Sequence, residues 1–172
     1  VDEDTSAGAR TWYRDVDNDG YGDPSIARTA CYQPGGFAGE ARDCDDLRND
    51  VNPAVTEEPG DNLDANCDLS ELCFADRDAD GYRTDEIIAS TDTDCDDAGE
   101  ATVAVIPGDC DDLNGIVHPG ASETIGDQLD QDCDGIELCF NDRDGDGVRT
   151  EEVLSSADAS CSDDGEATAV TP

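Results

Sequence analysis

The chain has 172 residues, of which 46 are Asp or Glu against nine Lys and Arg, giving a net charge of −37. Leu, Ile, Val and Phe together number 28, or 16% of the chain, too few for a large hydrophobic core. Such a balance excludes nucleic acid as a partner, because binding it needs basic patches, and no apolar run approaches the roughly 20 residues of a membrane span. Order must then come from other sources, and nine cysteines and many clustered carboxylates are the visible ones. Nine cysteines in a loop-rich chain predict a disulfide framework and a secreted or cell-surface location. Methionine is absent, so Val1 is expected to be a processed N-terminus left by removal of a signal peptide.

Residues 1–11 are small and acidic without periodicity and are expected to form an arm. Trp12-Tyr13 leads into Asp15-Val16-Asp17-Asn18-Asp19-Gly20. Ser25-Ile26-Ala27-Arg28 is a candidate strand, and Pro34-Gly35-Gly36 after Cys31 is a turn signal. Asp43-Cys44-Asp45-Asp46 follows, then Val51-Asn52-Pro53, then a third acidic segment with Asp61, Asp64, Cys67 and Asp68. From Glu71-Leu72-Cys73-Phe74 the series starts again at an offset of 66 residues. Asp109-Cys110-Asp111-Asp112 repeats Asp43-Cys44-Asp45-Asp46, and Asp127, Asp130 and Asp134 repeat Asp61, Asp64 and Asp68. Residues 71–102 match residues 137–168 at 20 of 32 positions without a gap. The predicted organisation is an arm (1–11), repeat one (12–70), repeat two (71–136) and a half-repeat (137–172). Glu86-Ile87-Ile88-Ala89 and Glu152-Val153-Leu154-Ser155 are expected as short strands or single helical turns. The fold class expected is mostly irregular chain with short β segments, in a linear array stabilised by calcium and disulfides.

The acidic loop occurs three times, as Asp15, Asp17, Asp19, as Asp76, Asp78, Asp80 and as Asp142, Asp144, Asp146, each with a glycine next. Three convergent carboxylates repel unless a hard cation lies between them, and Ca²⁺ with six to eight oxygen ligands suits them best. The residues after the glycine, Tyr21, Tyr82 and Val148, are candidate carbonyl ligands. The loop is similar to the first half of an EF-hand, but position 12 is Ile26, Ile87 or Val153 where a bidentate glutamate belongs. The missing oxygens are expected from the other clusters: Asp43, Asp45, Asp46; Asp64, Asp68; Asp94, Asp96, Asp97; Asp109, Asp111, Asp112; and Asp130, Asp132, Asp134. Zinc or copper would want imidazole or free thiolate, and the single His118 is expected to be a loop residue. The offset also guides a disulfide expectation of Cys67–Cys73, Cys133–Cys139, Cys31–Cys44 and Cys95–Cys110. Cys161 is then left for an intermolecular bond or as a buried thiol.

Asp43-Cys44-Asp45-Asp46, Val117-His118-Pro119-Gly120-Ala121-Ser122-Glu123 and Asp130-Gln131-Asp132-Cys133-Asp134-Gly135 resemble the "Putative metal-binding motif" repeats of secreted bacterial and archaeal proteins. These are similar in style to thrombospondin type 3 repeats, and the resemblance spans Tyr13 to Ser162. It implies extracellular calcium-binding arrays wrapped around rows of ions. Repeat one departs from it at Asn66 and Leu69, where repeat two has Asp132 and Gly135. The half-repeat departs at Ser160-Cys161-Ser162.

The function expected is that of an extracellular structural protein, a calcium-binding repeat unit that assembles with copies of itself into a filament or surface structure. The alternative is a calcium-rigidified spacer or adhesion module of a larger surface protein. Trp12 stands where a linking cysteine would be, and the half-repeat stops short of its next acid cluster. Asp2, Glu3 and Asp4 of another copy are expected to complete it. No nucleophile–base pair or phosphate loop is present, so no enzymatic role is expected.

Overall fold

The computed structural model describes residues 8–172. The expected contribution of Asp2, Glu3 and Asp4 lies outside the described residues. Among these the chain has no helix and twelve short strands: β1 (Arg10–Arg14), β2 (Tyr21–Ala30), β3 (Phe37–Ala38), β4 (Glu40–Ala41), β5 (Leu72–Asp76), β6 (Tyr82–Arg83), β7 (Ile87–Ala89), β8 (Gly99–Ala101), β9 (Ile106–Pro107), β10 (Leu138–Asn141), β11 (Val153–Ser155) and β12 (Glu166–Ala167). Mostly irregular chain with short β segments is therefore the observed class. The chain divides into two compact units, residues 1–73 with 87–97, and residues 74–86 with 98–172.

In the first unit β1 and β2 form an antiparallel hairpin around the first acidic loop, in register from Arg10↔Ala30 to Tyr13↔Ala27. A bulge between Tyr13 and Arg14 shifts the pairing to Asp23. β3 adds antiparallel to β1 and β4 parallel to β2. Gly22 allows the hairpin to close, since a Cβ there would stand 2.7 Å from the Arg14 carbonyl oxygen. The strand expected over 25–28 runs from Tyr21 to Ala30, and Arg10 and Thr11 join β1 instead of lying in an arm. Segment 87–97 is held here by the Cys73–Cys95 disulfide and by the Glu71 N–H donating to the Asp92 carbonyl at 2.8 Å.

In the second unit β10 lies between β11 and β12, paired Leu138↔Ser155 to Phe140↔Val153 on one side and Phe140↔Ala167, Asn141↔Glu166 on the other. β5 pairs with β8 in the equivalent way, Phe74↔Ala101 to Asp76↔Gly99. The side chains alternate as a half-buried strand requires: Cys139 and Asn141 are buried, Leu138 and Phe140 only partly. Phe140 and Phe74 are each covered by a guanidinium, Arg149 at 3.8 Å and Arg83 at 3.6 Å from the ring centre.

The buried apolar residues are small, namely Ala38, Val51, Ala65, Ala75, Ala101, Val117 and Ala167 with disulfide cysteines. No Leu, Ile or Phe joins them. The low apolar content predicted this, and the disulfides take the place of a core.

Their pairing differs from expectation at every bond. Cys44 bonds Cys67, Cys73 bonds Cys95, Cys110 bonds Cys133 and Cys139 bonds Cys161, at sequence separations of 22 or 23 and Cα separations of 5.5–5.8 Å. The expected Cys67–Cys73 and Cys133–Cys139 bonds are excluded by local direction. Cys73 and Cys139 point into the buried face of a strand, while Cys67 and Cys133 sit in left-handed turns at φ 60° and 58° that aim them at Cys44 and Cys110. Cys31–Cys44 and Cys95–Cys110 are excluded with them. Cys161, expected to be intermolecular, is bonded within the chain, and exposed Cys31 lies outside these four bonds.

Candidate metal centre

Each acidic loop leaves the end of a strand: β1 stops one residue before Asp15, β5 stops on Asp76 and β10 one residue before Asp142. The three loops follow one backbone course. Their fourth residues are left-handed, Asn18 at φ 64°, Ala79 at 59° and Gly145 at 66°, and their glycines Gly20, Gly81 and Gly147 lie at 99°, 92° and 83°. One oxygen of the fifth-position carboxylate closes each loop, with Asp19, Asp80 and Asp146 accepting the N–H of Tyr21, Tyr82 and Val148 at 2.8 Å. The other oxygens converge. In each loop, oxygens of all three aspartates lie within 4.8 Å of one another. Asp17 Oδ2, Asp19 Oδ2, Asp76 Oδ1, Asp78 Oδ2, Asp80 Oδ2 and Asp142 Oδ1 are buried with no donor from the protein.

In the first repeat part of the Asp-Cys-Asp-Asp cluster meets the acidic loop. Asp43 and Asp46 come within the same 4.8 Å of Asp17. The Val16 N–H donates to Asp46 Oδ1 at 2.7 Å, and in the next repeat the Arg77 N–H donates to Asp112 Oδ1 at 2.8 Å. Gly115 lies against the second loop, where a Cβ would stand 3.3 Å from that of Asp80. Asp43 and Asp109 are buried, each with one oxygen lacking a protein donor. Burial raises the Asp43 carboxyl to about 6, with the charges of Asp19, Asp17 and Asp46 adding to it. Burial, then the charges of Asp78, Asp80 and Asp112, raise Asp109 as well. The repeats differ at one point: Asp112 Oδ2 is paired with the Arg77 guanidinium, which also holds Glu86 at 2.7 Å. In the third loop Asp142 is largely buried and Asp144 and Asp146 are exposed.

Several other candidate ligands make hydrogen bonds of their own or stand exposed. Asp45 and Asp111 begin turns, their carbonyls accepting Arg48 and Asn114 N–H groups at 2.8 and 2.9 Å. Asp96 and Asp97 are exposed, and with Asp94 they form no three-member cluster among the described residues. Asp64 uses both oxygens on the N–H groups of Asp68 and Leu69, at 3.0 and 2.9 Å. Asp68 and Asp134 accept from Ser70 and Ile136 at 2.9 and 2.8 Å. Asp130 braces the turn at Asp134 and Gly135 as Asp64 does, yet it also meets Asp132 and Glu123 within 4.8 Å. Glu123 was not expected, nor were Glu57, Glu71 and Glu137, although their 66-residue phase was a readable signal. His118 stacks on Tyr82 at 4.4 Å between ring centres.

Residues 43–68 and 109–137 match the model of a family labelled copper-binding MopE and described as "Putative metal-binding motif". No curated protein and no solved structure matches the chain. The two matched segments run from the Asp43 and Asp109 clusters through the Cys44–Cys67 and Cys110–Cys133 disulfides. Motif and acid clusters together point to a bound metal ion, and the disulfides to an oxidising environment.

Proposed function

We propose that the protein is an extracellular calcium-binding structural module, and that Ca²⁺ held between each Asp-x-Asp-x-Asp-Gly loop and its Asp-Cys-Asp-Asp cluster supplies the stability its core lacks. The observation that carries this is the meeting of Asp17 with Asp43 and Asp46 from segments far apart in sequence, with Asp17 Oδ2 and Asp43 Oδ2 buried and lacking a protein donor. A cation bridging such segments converts binding energy into folding energy. Each site held at 100 times its Kd contributes about 2.7 kcal/mol, so a few sites match a net stability of roughly 5–15 kcal/mol. Calcium fits the all-oxygen donor set better than the copper in the family's label. Copper favours imidazole and sulfur, but eight cysteines are in disulfides, methionine is absent and the one histidine is stacked on Tyr82. The carboxylates serve as ligands and carry no catalytic role in this proposal.

At −37 per chain, copies repel until cations neutralise them. We therefore propose calcium-dependent assembly with further copies into a filament or surface structure. Far-UV circular dichroism and thermal melting with Ca²⁺, with Cu²⁺ and in excess EGTA test the module. Loss of the native spectrum in EGTA and recovery with Ca²⁺ is expected, whereas unchanged melting in EGTA would sink the idea. Electron microscopy in Ca²⁺ that showed only monomers would remove the filament.

A further inference from the structure

Glu71 and Glu137 hold the same place in consecutive repeats, and both are 0% exposed. They are among the largest fully buried side chains, with Val51 and Val117. Among the described residues neither is paired with a Lys or Arg. Both oxygens of Glu71 and Oε2 of Glu137 are buried without a protein donor, while Glu137 Oε1 accepts the Gly126 N–H at 3.2 Å. Each stands against a second carboxylate, Glu57 or Glu123, close enough to share a proton with it. Glu57 Oε1 accepts the Asn66 N–H at 2.7 Å, and Glu123 Oε1 accepts those of Gln131 and Asp132 at 2.8 and 3.1 Å. The Oε2 atoms of Glu57 and Glu123 are again buried without a donor. Asp132 and Asp130 lie within 4.8 Å of Glu123 and of each other. In repeat one the place of Asp132 is taken by Asn66, whose Oδ1 is likewise buried and unpartnered.

Two buried carboxylates facing each other cost several kcal/mol unless a proton or a cation lies between them. One proton satisfies two oxygens. Here three side chains in each repeat present unsatisfied or convergent oxygens, and no nitrogen or sulfur donor joins them. We propose that each full repeat holds a second site for a hard divalent cation, separate from the loop site and formed by Glu57, Asn66 and Glu71 in repeat one and by Glu123, Asp132 and Glu137 in repeat two. Asn66 keeps the ligand oxygen and loses a charge, so the first of these sites is the weaker.

The test is the number of Ca²⁺ ions bound per chain, by equilibrium dialysis of the 172-residue chain, with melting in Ca²⁺ and in EGTA. Glu137→Gln is expected to bind one ion fewer than the wild type and to melt lower in Ca²⁺ but not in EGTA. A wild-type ion count, or melting raised equally in both conditions as for a shared proton, would overturn the proposal. Asp78→Asn serves as the loop control: if it removes no ion while Glu137→Gln does, the loop sites fail and this site stands. Should Glu137→Gln not fold, Asp132→Asn recreates the ligand set of repeat one and is expected to weaken one ion by about tenfold. Unchanged affinity for every ion in that variant would equally overturn it.

Discussion

Asp43 shows what a carboxylate does when it is buried among others. Its pKa is raised from 3.8 to about 6 by burial and by neighbouring aspartates, so the folded state binds the proton more tightly than the unfolded chain. A raised carboxyl contributes stability that is complete below about pH 4 and lost as pH climbs through about 6. Glu71 and Glu137, raised to about 7 by burial and by Glu57 and Glu123, extend that window upward. The metal-free protein is accordingly expected to melt at progressively lower temperature from pH 4 to pH 7. In saturating Ca²⁺ the trend should reverse, because protons then compete with the ligand. Melting curves across this range, with EGTA and with Ca²⁺, check the sign. Asp112 is paired with a cation of the protein itself, the Arg77 guanidinium. Removing the Arg77 guanidinium by Arg77→Ala should tighten Ca²⁺ at the second loop by about 1 kcal/mol, or roughly fivefold. Calorimetric titration should resolve that change.

At the scale of elements, the acidic loop and its glycine were legible in the sequence because they follow one short rule, with alternate aspartates and a turn residue. The strands were less so. Leu72–Asp76 and Leu138–Asn141 lack any run of alternation longer than a few residues, and their pairing depends on partners 13 or more positions away. The disulfides were misread for a related reason. Spacing along the chain carries no information on side-chain direction, and left-handed φ at Cys67 and Cys133 decides it. The same backbone course exposes two local misfits. Leu69 sits at φ 69° where repeat two has Gly135 at 84°, and Ala79 sits at 59° where the third loop has Gly145 at 66°. Leu69 is 73% exposed, so little packing is lost on truncation. Leu69→Gly and Ala79→Gly should each raise stability by roughly 0.5–1 kcal/mol, measured by denaturant unfolding in Ca²⁺. Removing the Cys73–Cys95 bond as a double alanine variant should cost about 3 kcal/mol, seen in the same assay.

For the whole molecule, the composition already stated that no large core would form, and none does. What it left open was how distant acid clusters are brought together. The buried glutamates were missed, although their 66-residue phase could be read, because a lone Glu in a polar stretch looks like solvated surface. Only the backbone bonds from Asn66, Gln131 and Asp132 turn Glu57 and Glu123 inward. The Cys44–Cys67 and Cys110–Cys133 bonds each join the Asp-Cys-Asp-Asp cluster of a loop site to the turn bearing Asn66 or Asp132. Each disulfide therefore shares one segment, the Asp-Cys-Asp-Asp cluster, with the loop ion proposed above, and holding that segment by either means lowers the entropy the other must overcome. By reciprocity, whatever factor oxidation adds to calcium affinity, calcium adds to resistance against reduction. On the proposal of bound calcium, the calcium activity of the surroundings is expected to set how reducing a medium the protein survives.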